Sequence, residues 1–309
     1  MPIDPVAQRL LDDARASGRP NAHLLSVSVA RQNFEESCTQ LTRPAVHRVI
    51  DTAIPTRDGR SIPGRLYLSG PDAAPPLTVY LHGGGWLLGS IDSHDVTTRL
   101  LANASRAAVL SVGYRRGPEA RFPTAVDDAV DALAWAGDPA SGLGVDHRRL
   151  AVAGDSAGGN LAAAAALQVR DAGSVPLRHQ LLVYPVTTTD LTRGIDPAYD
   201  GVVLERDELQ WHQDNYLADP AQAGDPRVDL LGADVAGLPE TTMVLAECDP
   251  IRPQGELYAA ALEAAGVPVG RHVGPGMVHG FFGLTEIYPC AAEAMTYAGE
   301  RLAEAFGRP

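Results

Sequence analysis

A regular alternation of short apolar runs and longer helical segments, which begins at residue 77, constrains the fold of this chain more than any other feature. The apolar runs have the length of strands, and the segments between them repeat apolar residues at helical spacing. Such alternation favours βαβ units, in which helices cover a mostly parallel sheet. The predicted strands are 77–81, 107–112, 150–153, 180–184, 242–246 and 267–273. The predicted helices are 92–105, 124–136, 157–169, 256–265 and 291–305.

The rest of the chain does not follow this alternation. Residues 6–16 and 24–34 have the apolar spacing of helices, and 46–68 contains two β-like runs joined by a turn at Asp58-Gly59. A polar, irregular stretch follows the strand at 180–184. We therefore predict four segments, which are N-terminal cap helices (1–44), the first part of an α/β core (45–186), a cap insertion (187–238) and the second part of the core (239–309).

Composition excludes several classes of protein. The length of 309 residues with 45% hydrophobic residues fits one large α/β domain, and a net charge of -13 argues against nucleic-acid binding. No apolar stretch approaches the ~20 residues of a membrane helix, and no secretory signal is visible, so we expect a cytoplasmic protein that does not bind membranes. Three widely spaced cysteines, Cys38, Cys248 and Cys290, predict neither a disulfide framework nor a metal site.

The chain contains no lysine, because all 25 residues counted as lysine or arginine are arginine. Schiff-base catalysis, phosphate loops of the Walker type and Ser-x-x-Lys acylases each require an ammonium group. These chemistries are therefore excluded.

A candidate nucleophile lies in Gly154-Asp155-Ser156-Ala157-Gly158, which matches the pattern G-x-S-x-G between a predicted strand and a predicted helix. A sharp strand-to-helix turn strains the serine backbone, and only small neighbours leave room for it. The alternative is a glycine-rich turn with an uninvolved serine. The strand and helix on either side favour Ser156 as a nucleophile.

A second glycine-rich loop, His82-Gly83-Gly84-Gly85-Trp86, follows the strand at 77–81. Its amides suit an oxyanion hole, and we expect the N–H groups of Gly83 and Gly84 to act with that of Ala157. The alternative is a dinucleotide-binding turn, which requires an acidic residue after the next strand. The sequence there, Ser111-Val112-Gly113-Tyr114, contains none.

The acid and the base should follow the serine in that chain order. His279 lies in a glycine-containing loop late in the chain, whereas the competing His272 has the alternating pattern of a strand. Asp249 precedes a proline at the end of the strand at 242–246, and Glu247 is the alternative acid. We predict a triad of Ser156, Asp249 and His279.

Five motifs in this order resemble the hormone-sensitive-lipase-like esterase family. They are His82-Gly83-Gly84-Gly85-Trp86, Tyr114-Arg115-x-x-Pro118-Glu119-x-x-Phe122-Pro123, Gly154-Asp155-Ser156-Ala157-Gly158-Gly159-Asn160-Leu161, Asp249-Pro250 and His279-Gly280-Phe281. The resemblance implies an α/β-hydrolase fold with a mostly parallel central sheet, a helical cap, no cofactor or metal, and hydrolysis of short-chain acyl esters as small-molecule substrates. Two departures affect the surroundings of the triad. Arg116-Gly117 replace Leu-Ala, and Pro253-Gln254-Gly255 replace Asp-Glu-Gly.

Substrate contacts and rival functions are less constrained. Trp86, Trp211 and Phe282 are candidates for the substrate pocket, although aromatic residues at such spacings more often pack in a core. A lyase, dehydratase or cyclase on the same fold stays open, and so does a homodimer. A non-catalytic receptor, as in the plant gibberellin receptors, is disfavoured because His279 is present in its motif.

Overall fold

The computed structural model of the protein describes residues 2–38 and 41–307. An eight-stranded sheet with the order β1-β2-β4-β3-β5-β6-β7-β8 forms its centre. Its strands are β1 (Arg48–Pro55), β2 (Ser61–Leu68), β3 (Leu77–Leu81), β4 (Ala108–Val112), β5 (Leu150–Asp155), β6 (Leu177–Val183), β7 (Thr241–Ala246) and β8 (Val269–Gly274). The β2 strand runs antiparallel to β1 and β4, and every other neighbouring pair is parallel. The predicted α/β-hydrolase fold is confirmed.

Eight α-helices are present in the described residues. They are α1 (Pro5–Ala16), α2 (Val27–Cys38), α3 (Asp95–Ser105), α4 (Thr124–Gly137), α5 (Ala157–Asp171), α6 (Arg206–Tyr216), α7 (Arg252–Ala264) and α8 (Pro289–Ala305). Buried side chains of α4, α5 and α7 form the core on one face, and those of α3 and α8 form the core on the other. Alternate residues of each strand point to opposite faces, so that Val79 joins the first core and Tyr80 the second.

The alanine-rich stretch of α5 explains how the helix after Ser156 lies so close to the sheet. Residues 162–166 are all alanine and all buried. Side chains of this size allow a helix axis to approach the strands without leaving voids. The start of α5, immediately after β5, is therefore held firmly in place.

Two segments lie outside the sheet and its flanking helices, where the cap was predicted, and we call them the cap segments. The first contains α1 and α2, and the second, between β6 and β7, contains α6. The boundaries 1–44, 45–186, 187–238 and 239–309 stay predictions, and residues 1, 39–40 and 308–309 lie outside the described part. No α-helix in the described ranges is long and apolar enough to cross a membrane.

The unusual pair Arg116-Gly117 lies where the two cap segments meet the core. A Cβ atom on Gly117 would come within 2.6 Å of the Asn215 carbonyl oxygen at the end of α6. The Arg31 guanidinium of α2 donates to the carbonyl oxygens of Gly117 and Leu87, at 2.5 and 2.7 Å, and the Arg116 guanidinium donates to Gly89 O. Glycine is required at 117 because both cap segments approach its backbone closely.

Candidate active site

Ser156 occupies a strained turn between β5 and α5. Its backbone has φ 55° and ψ -120°, a region in which non-glycine residues cost roughly 1–3 kcal/mol. The Ser156 N–H donates to Val183 O on the neighbouring strand at 2.9 Å, which holds the turn. A Cβ atom on Gly158 would lie 2.0 Å from Leu81 O, so the glycine two residues after the serine lets α5 begin against β3. The turn presents the Ser156 hydroxyl at the carboxyl edge of the sheet.

His279 bridges Ser156 and Asp249. Its Nε2 lies 2.9 Å from Ser156 Oγ, and its Nδ1 lies 2.6 Å from Asp249 Oδ2. The other carboxylate oxygen of Asp249, Oδ1, accepts the N–H of Ile251 at 3.0 Å, and the side chain is fully buried. Because a carboxylate oxygen can only accept, the imidazole has its proton on Nδ1 toward Asp249 and an accepting Nε2 toward Ser156.

The two competing residues have other positions. His272 lies on β8 with its ring 5.5 Å from that of Tyr297. The Glu247 carboxylate accepts the N–H of Gly276 at 2.7 Å, which holds the start of the loop that carries His279. Glu247 thus positions the loop, and Asp249 contacts the ring.

The glycine loop after β3 differs from the expectation at one position. The Gly83 N–H donates to Asp155 Oδ1 at 3.0 Å, so it does not point at the space above Ser156. The prediction that Gly83 belongs to the oxyanion hole is therefore wrong. Within residues 2–38 and 41–307, the N–H groups of Gly84, Gly85 and Ala157 have no hydrogen-bond acceptor. Gly85 is the residue that sequence reasoning missed.

The buried Asp155 side chain holds the glycine loop after β3 in place. Besides the Gly83 N–H, it accepts the Tyr80 hydroxyl at 2.6 Å, and His94 Nε2 lies 3.4 Å from its second oxygen. Burial by itself raises the pKa of the Asp155 carboxyl group, but His94 and Tyr80 stabilise the carboxylate more strongly, and its pKa lies below the ordinary value. The buried Asp155 carboxylate therefore anchors Gly83 and leaves the N–H groups of Gly84 and Gly85 without an acceptor.

His82 also holds the glycine loop after β3 in place. Burial, followed by repulsion from His94, lowers the pKa of His82 to about 3, so its ring is neutral near pH 7. Its Nδ1 lies 2.9 Å from Gly83 O, and since a carbonyl can only accept, the proton is on Nδ1. The Tyr114 ring stacks on His82 at 4.3 Å, and its hydroxyl donates to His82 O at 2.8 Å. Both backbone and side chain of His82 are thereby held.

A cavity of about 410 Å³, which we call the main cavity, opens above Ser156. Most of its lining is apolar and comes from both cap segments and the core. Ser156, His279, Gly84, Gly85 and Trp86 line it, and so do Phe34, Val186, Leu191, Leu209 and Ile251. The volume suits a small ligand, because such sites span roughly 300–1,000 Å³.

Of the three aromatic candidates for this cavity, only Trp86 lines it among the described residues. Its ring stacks on Tyr216 at 4.5 Å. Trp211 instead packs against the cluster of Ala30, Leu87 and Leu88, and Phe282 is buried in the core beneath α3 and α8. The predictions for Trp211 and Phe282 are wrong, because their side chains turn away from the cavity.

Two histidines line the main cavity although no sequence motif singled them out. His94 lies on its floor beside Asp155, and His212 projects from α6 against Gly85. A Cβ atom on Gly85 would lie 2.1 Å from His212 Nδ1. The sequence carries no local signal for either contact, because each joins elements that are distant along the chain.

Gln254, which belongs to the second departure from the family pattern, also lines the main cavity. Its Oε1 accepts the N–H of Thr187 at 3.1 Å, and its backbone carbonyl accepts the Thr187 hydroxyl at 2.9 Å. Gln254 therefore anchors the start of the insertion that carries α6.

No group of three or more His, Cys, Asp or Glu side chains in the described ranges could hold a metal ion.

Comparison with known proteins places this chain among hydrolases. Residues 78–283 match a family model described as the alpha/beta hydrolase fold. The chain is 39% identical to an ethyl acetate hydrolase of Pseudomonas putida, with 95% of each chain covered. It is 42% identical to carboxylesterase NlhH of Mycobacterium tuberculosis, covering 71% of this chain and 70% of the relative. A hyperthermophilic esterase from Pyrobaculum calidifontis superposes with a TM-score of 0.91 and 37% identity, covering 98% and 99% of the two chains.

Proposed function

This chain belongs to the hormone-sensitive-lipase-like esterases of the α/β-hydrolase family and is a carboxylic-ester hydrolase, and we propose that it cleaves short-chain acyl esters through an acyl-enzyme on Ser156. One observation carries the proposal. A continuous chain of hydrogen bonds runs from Asp249 through His279 to Ser156 and ends in the main cavity. Ethyl acetate hydrolysis by the Pseudomonas putida relative supports short acyl groups.

The first half of the reaction acylates the enzyme. Ser156 Oγ attacks the ester carbonyl carbon while its proton passes to Nε2 of neutral His279. Asp249 holds the ring and stabilises the imidazolium that forms. The tetrahedral intermediate then loses its bond to the alcohol oxygen, and His279 returns the proton to the departing alkoxide. The acyl group stays on Ser156.

The second half releases the acid. A water molecule attacks the acyl carbon and gives its proton to His279 Nε2. The bond to Ser156 Oγ then breaks, the proton returns to the serine, and a carboxylic acid leaves. The serine, the histidine and the carboxylate end in their starting states.

The free amides of Gly84, Gly85 and Ala157 act in both halves. We assign them as hydrogen-bond donors to the oxyanion of each tetrahedral intermediate. Because these N–H groups have no other acceptor, no existing hydrogen bond has to break when the negative charge forms. Each such donor lowers the barrier by about 3 kcal/mol. The donors of the oxyanion hole therefore rank beside the triad itself in their effect on rate.

A pair of variants tests the proposal. Ser156→Ala and His279→Ala should each lower kcat for p-nitrophenyl acetate by about 10⁴-fold or more. Ser174→Ala and His272→Ala are matched controls, since Ser174 is exposed and His272 lies on β8, and both should keep wild-type turnover.

Labelling separates the rival functions. A fluorophosphonate probe should modify wild-type Ser156 and leave Ser156→Ala unlabelled, because only an activated hydroxyl reacts. A lyase, dehydratase, cyclase or receptor that does not use the serine would leave the wild type unlabelled and Ser156→Ala functional, and that result would reject the proposal. A cytoplasmic location and a homodimer stay predictions.

A further inference from the structure

Three buried polar atoms of side chains that line the main cavity lack a hydrogen-bond partner among the residues that the structure describes. They are His212 Nδ1, Trp86 Nε1 and Thr189 Oγ1. A polar atom that is withdrawn from water without a partner is destabilising, so the great majority of buried polar side-chain atoms are hydrogen-bonded. The presence of three such atoms around one cavity indicates that a polar group of the substrate completes their hydrogen bonding.

Of these side chains, His212 has the best-defined position relative to the reacting atoms. It is 5% exposed and projects from α6 against Gly85, on which a Cβ atom would lie 2.1 Å from His212 Nδ1. A carbon–carbon bond of this kind is about 1.5 Å long, so Nδ1 lies within about 4 Å of the Gly85 Cα atom. Gly85 also carries one of the N–H groups that we assign to the oxyanion. The ester carbonyl group and His212 Nδ1 therefore meet at the same residue.

A carboxylate beside His212 decides which ring nitrogen carries the proton. Glu208 lies one turn earlier on α6, and its Oε1 is 3.8 Å from His212 Nε2. The negative charge of the carboxylate favours the proton on Nε2, which leaves a lone pair on Nδ1. Nδ1 is then a hydrogen-bond acceptor, and its complement is a donor. A hydroxyl group of an ester substrate is such a donor, whereas carbonyl and ether oxygens only accept.

The indole N–H of Trp86 supplies the opposite function nearby. Trp86 follows Gly85 directly, and its ring stacks at 4.5 Å on Tyr216, one helical turn after His212. Side chains four residues apart on a helix are neighbours, so Trp86 and His212 lie at adjacent turns of α6. The indole nitrogen only donates, and Nδ1 accepts. This pair matches a hydroxyl, which does both, better than an ammonium group or a ketone, which do only one.

Resting on the ester-hydrolase function proposed above, we propose that His212 and Trp86 bind a hydroxyl group on the acid part of the substrate. The substrate class is then an ester of a short hydroxy acid. The hydroxyl belongs on the second or third carbon of the acid, because His212 lies against the residue whose N–H holds the carbonyl oxygen. The alcohol oxygen lies instead beside His279, which gives it a proton. His212 is thereby a specificity-determining residue and takes no proton in the reaction.

The wild-type enzyme provides the first test. Ethyl lactate is compared with ethyl propanoate, and ethyl 3-hydroxybutyrate with ethyl butyrate, so that the members of each pair differ only in the hydroxyl. Dividing each kcat/KM by the rate constant for hydrolysis by hydroxide removes the intrinsic reactivity of the ester. We expect the hydroxy ester to exceed its parent by about tenfold in this normalised value, in at least one pair. A normalised ratio of one or less in both pairs would overturn the proposal.

Two substitutions at position 212 assign the preference to the ring nitrogen. His212→Phe keeps a planar ring without a polar atom and should lower the normalised ratio by about tenfold. His212→Asn can place its amide oxygen near the position of Nδ1 and should keep the ratio within about threefold of the wild type. Thermal unfolding checks that both variants are folded, and the wild-type ratio together with His212→Asn decides the outcome if His212→Phe is not.

His272→Phe is the matched control. It makes the same change on β8, outside the lining of the main cavity. Both its normalised ratio and its turnover should equal those of the wild type. A second pair, 2-hydroxyethyl acetate and propyl acetate, carries the hydroxyl in the alcohol and should show no preference that depends on His212.

The outcomes separate this proposal from the one on which it rests. If both members of each pair slow equally in His212→Phe, the histidine has a purely structural role and the proposal fails. A preference for 2-hydroxyethyl acetate that His212→Phe abolishes places the hydroxyl in the alcohol and overturns it as well. In both cases fluorophosphonate labelling of Ser156 still upholds the hydrolase. A wild type that neither takes up the label nor cleaves any ester overturns both proposals, and a loss confined to the hydroxy-acid esters supports this one.

Discussion

Asp249→Asn is the substitution for which the structure gives the sharpest expectation. The two carboxylate oxygens of Asp249 have different partners, since Oδ1 accepts the Ile251 N–H at 3.0 Å and Oδ2 contacts His279 Nδ1 at 2.6 Å. An asparagine that keeps the Ile251 contact places its NH₂ group against Nδ1. That orientation favours the tautomer with the proton on Nε2, which cannot accept the proton of Ser156.

The expected loss can be bounded from these two contacts. The opposite amide orientation restores the productive tautomer but leaves the buried Ile251 N–H without an acceptor, at a cost of about 1–3 kcal/mol. This cost makes the productive orientation about 5- to 160-fold less populated, and the uncharged amide at 249 no longer stabilises the imidazolium, which lowers the rate further. We expect kcat to fall by at least about 100-fold and by up to about 10⁴-fold, the loss typical of a wrong tautomer.

The assay is hydrolysis of p-nitrophenyl acetate, with kcat and KM measured separately for the wild type, Asp249→Asn and Glu247→Gln. Glutamine at 247 still accepts the Gly276 N–H, so this matched control should stay within about threefold of the wild type. A decrease of less than tenfold in Asp249→Asn, with an unchanged thermal midpoint, would falsify the tautomer argument. A larger loss in Glu247→Gln would identify Glu247 as the acid.

Three further predictions concern the backbone and a buried ring. Ser156→Gly should exceed Ser156→Ala in thermal stability by about 1–2 kcal/mol, since glycine relieves the φ of 55°, and equal midpoints would exclude stored strain. Gly117→Ala should destabilise by about 1–3 kcal/mol in urea unfolding, because its Cβ meets Asn215 O at 2.6 Å; unchanged stability would mean that α6 shifts freely. Burial lowers the pKa of His179 to about 3, so as pH falls below 6.5 mainly the unfolded chain takes up this proton. The stability advantage of the wild type over His179→Gln should therefore shrink by about 1.4 kcal/mol per pH unit between pH 6.5 and 4.5, and a constant difference would contradict it.

The sequence by itself determined the strands and helices of the core and the three side chains, Ser156, Asp249 and His279, that the structure brings into contact. Strand and helix periodicity are properties of neighbouring residues, and the predicted elements from 77 to 305 all occur, with ends that differ by a few residues. The elbow around Ser156 could be recognised from a local pattern, although Gly158 also makes room for Leu81 O on β3. Chain order and loop position favoured His279 over His272, and it is His279 that contacts Ser156.

Contacts between distant segments were decided only by the tertiary structure. Whether Gly83 or Gly85 faces the reacting atoms depends on Asp155, a carboxylate on another strand that occupies the Gly83 N–H. The direction of the Trp211 side chain likewise depends on how α6 packs over α2 and the glycine loop. Local spacing says which amides and rings are available, whereas packing and hydrogen bonding between separate elements decide where each one points.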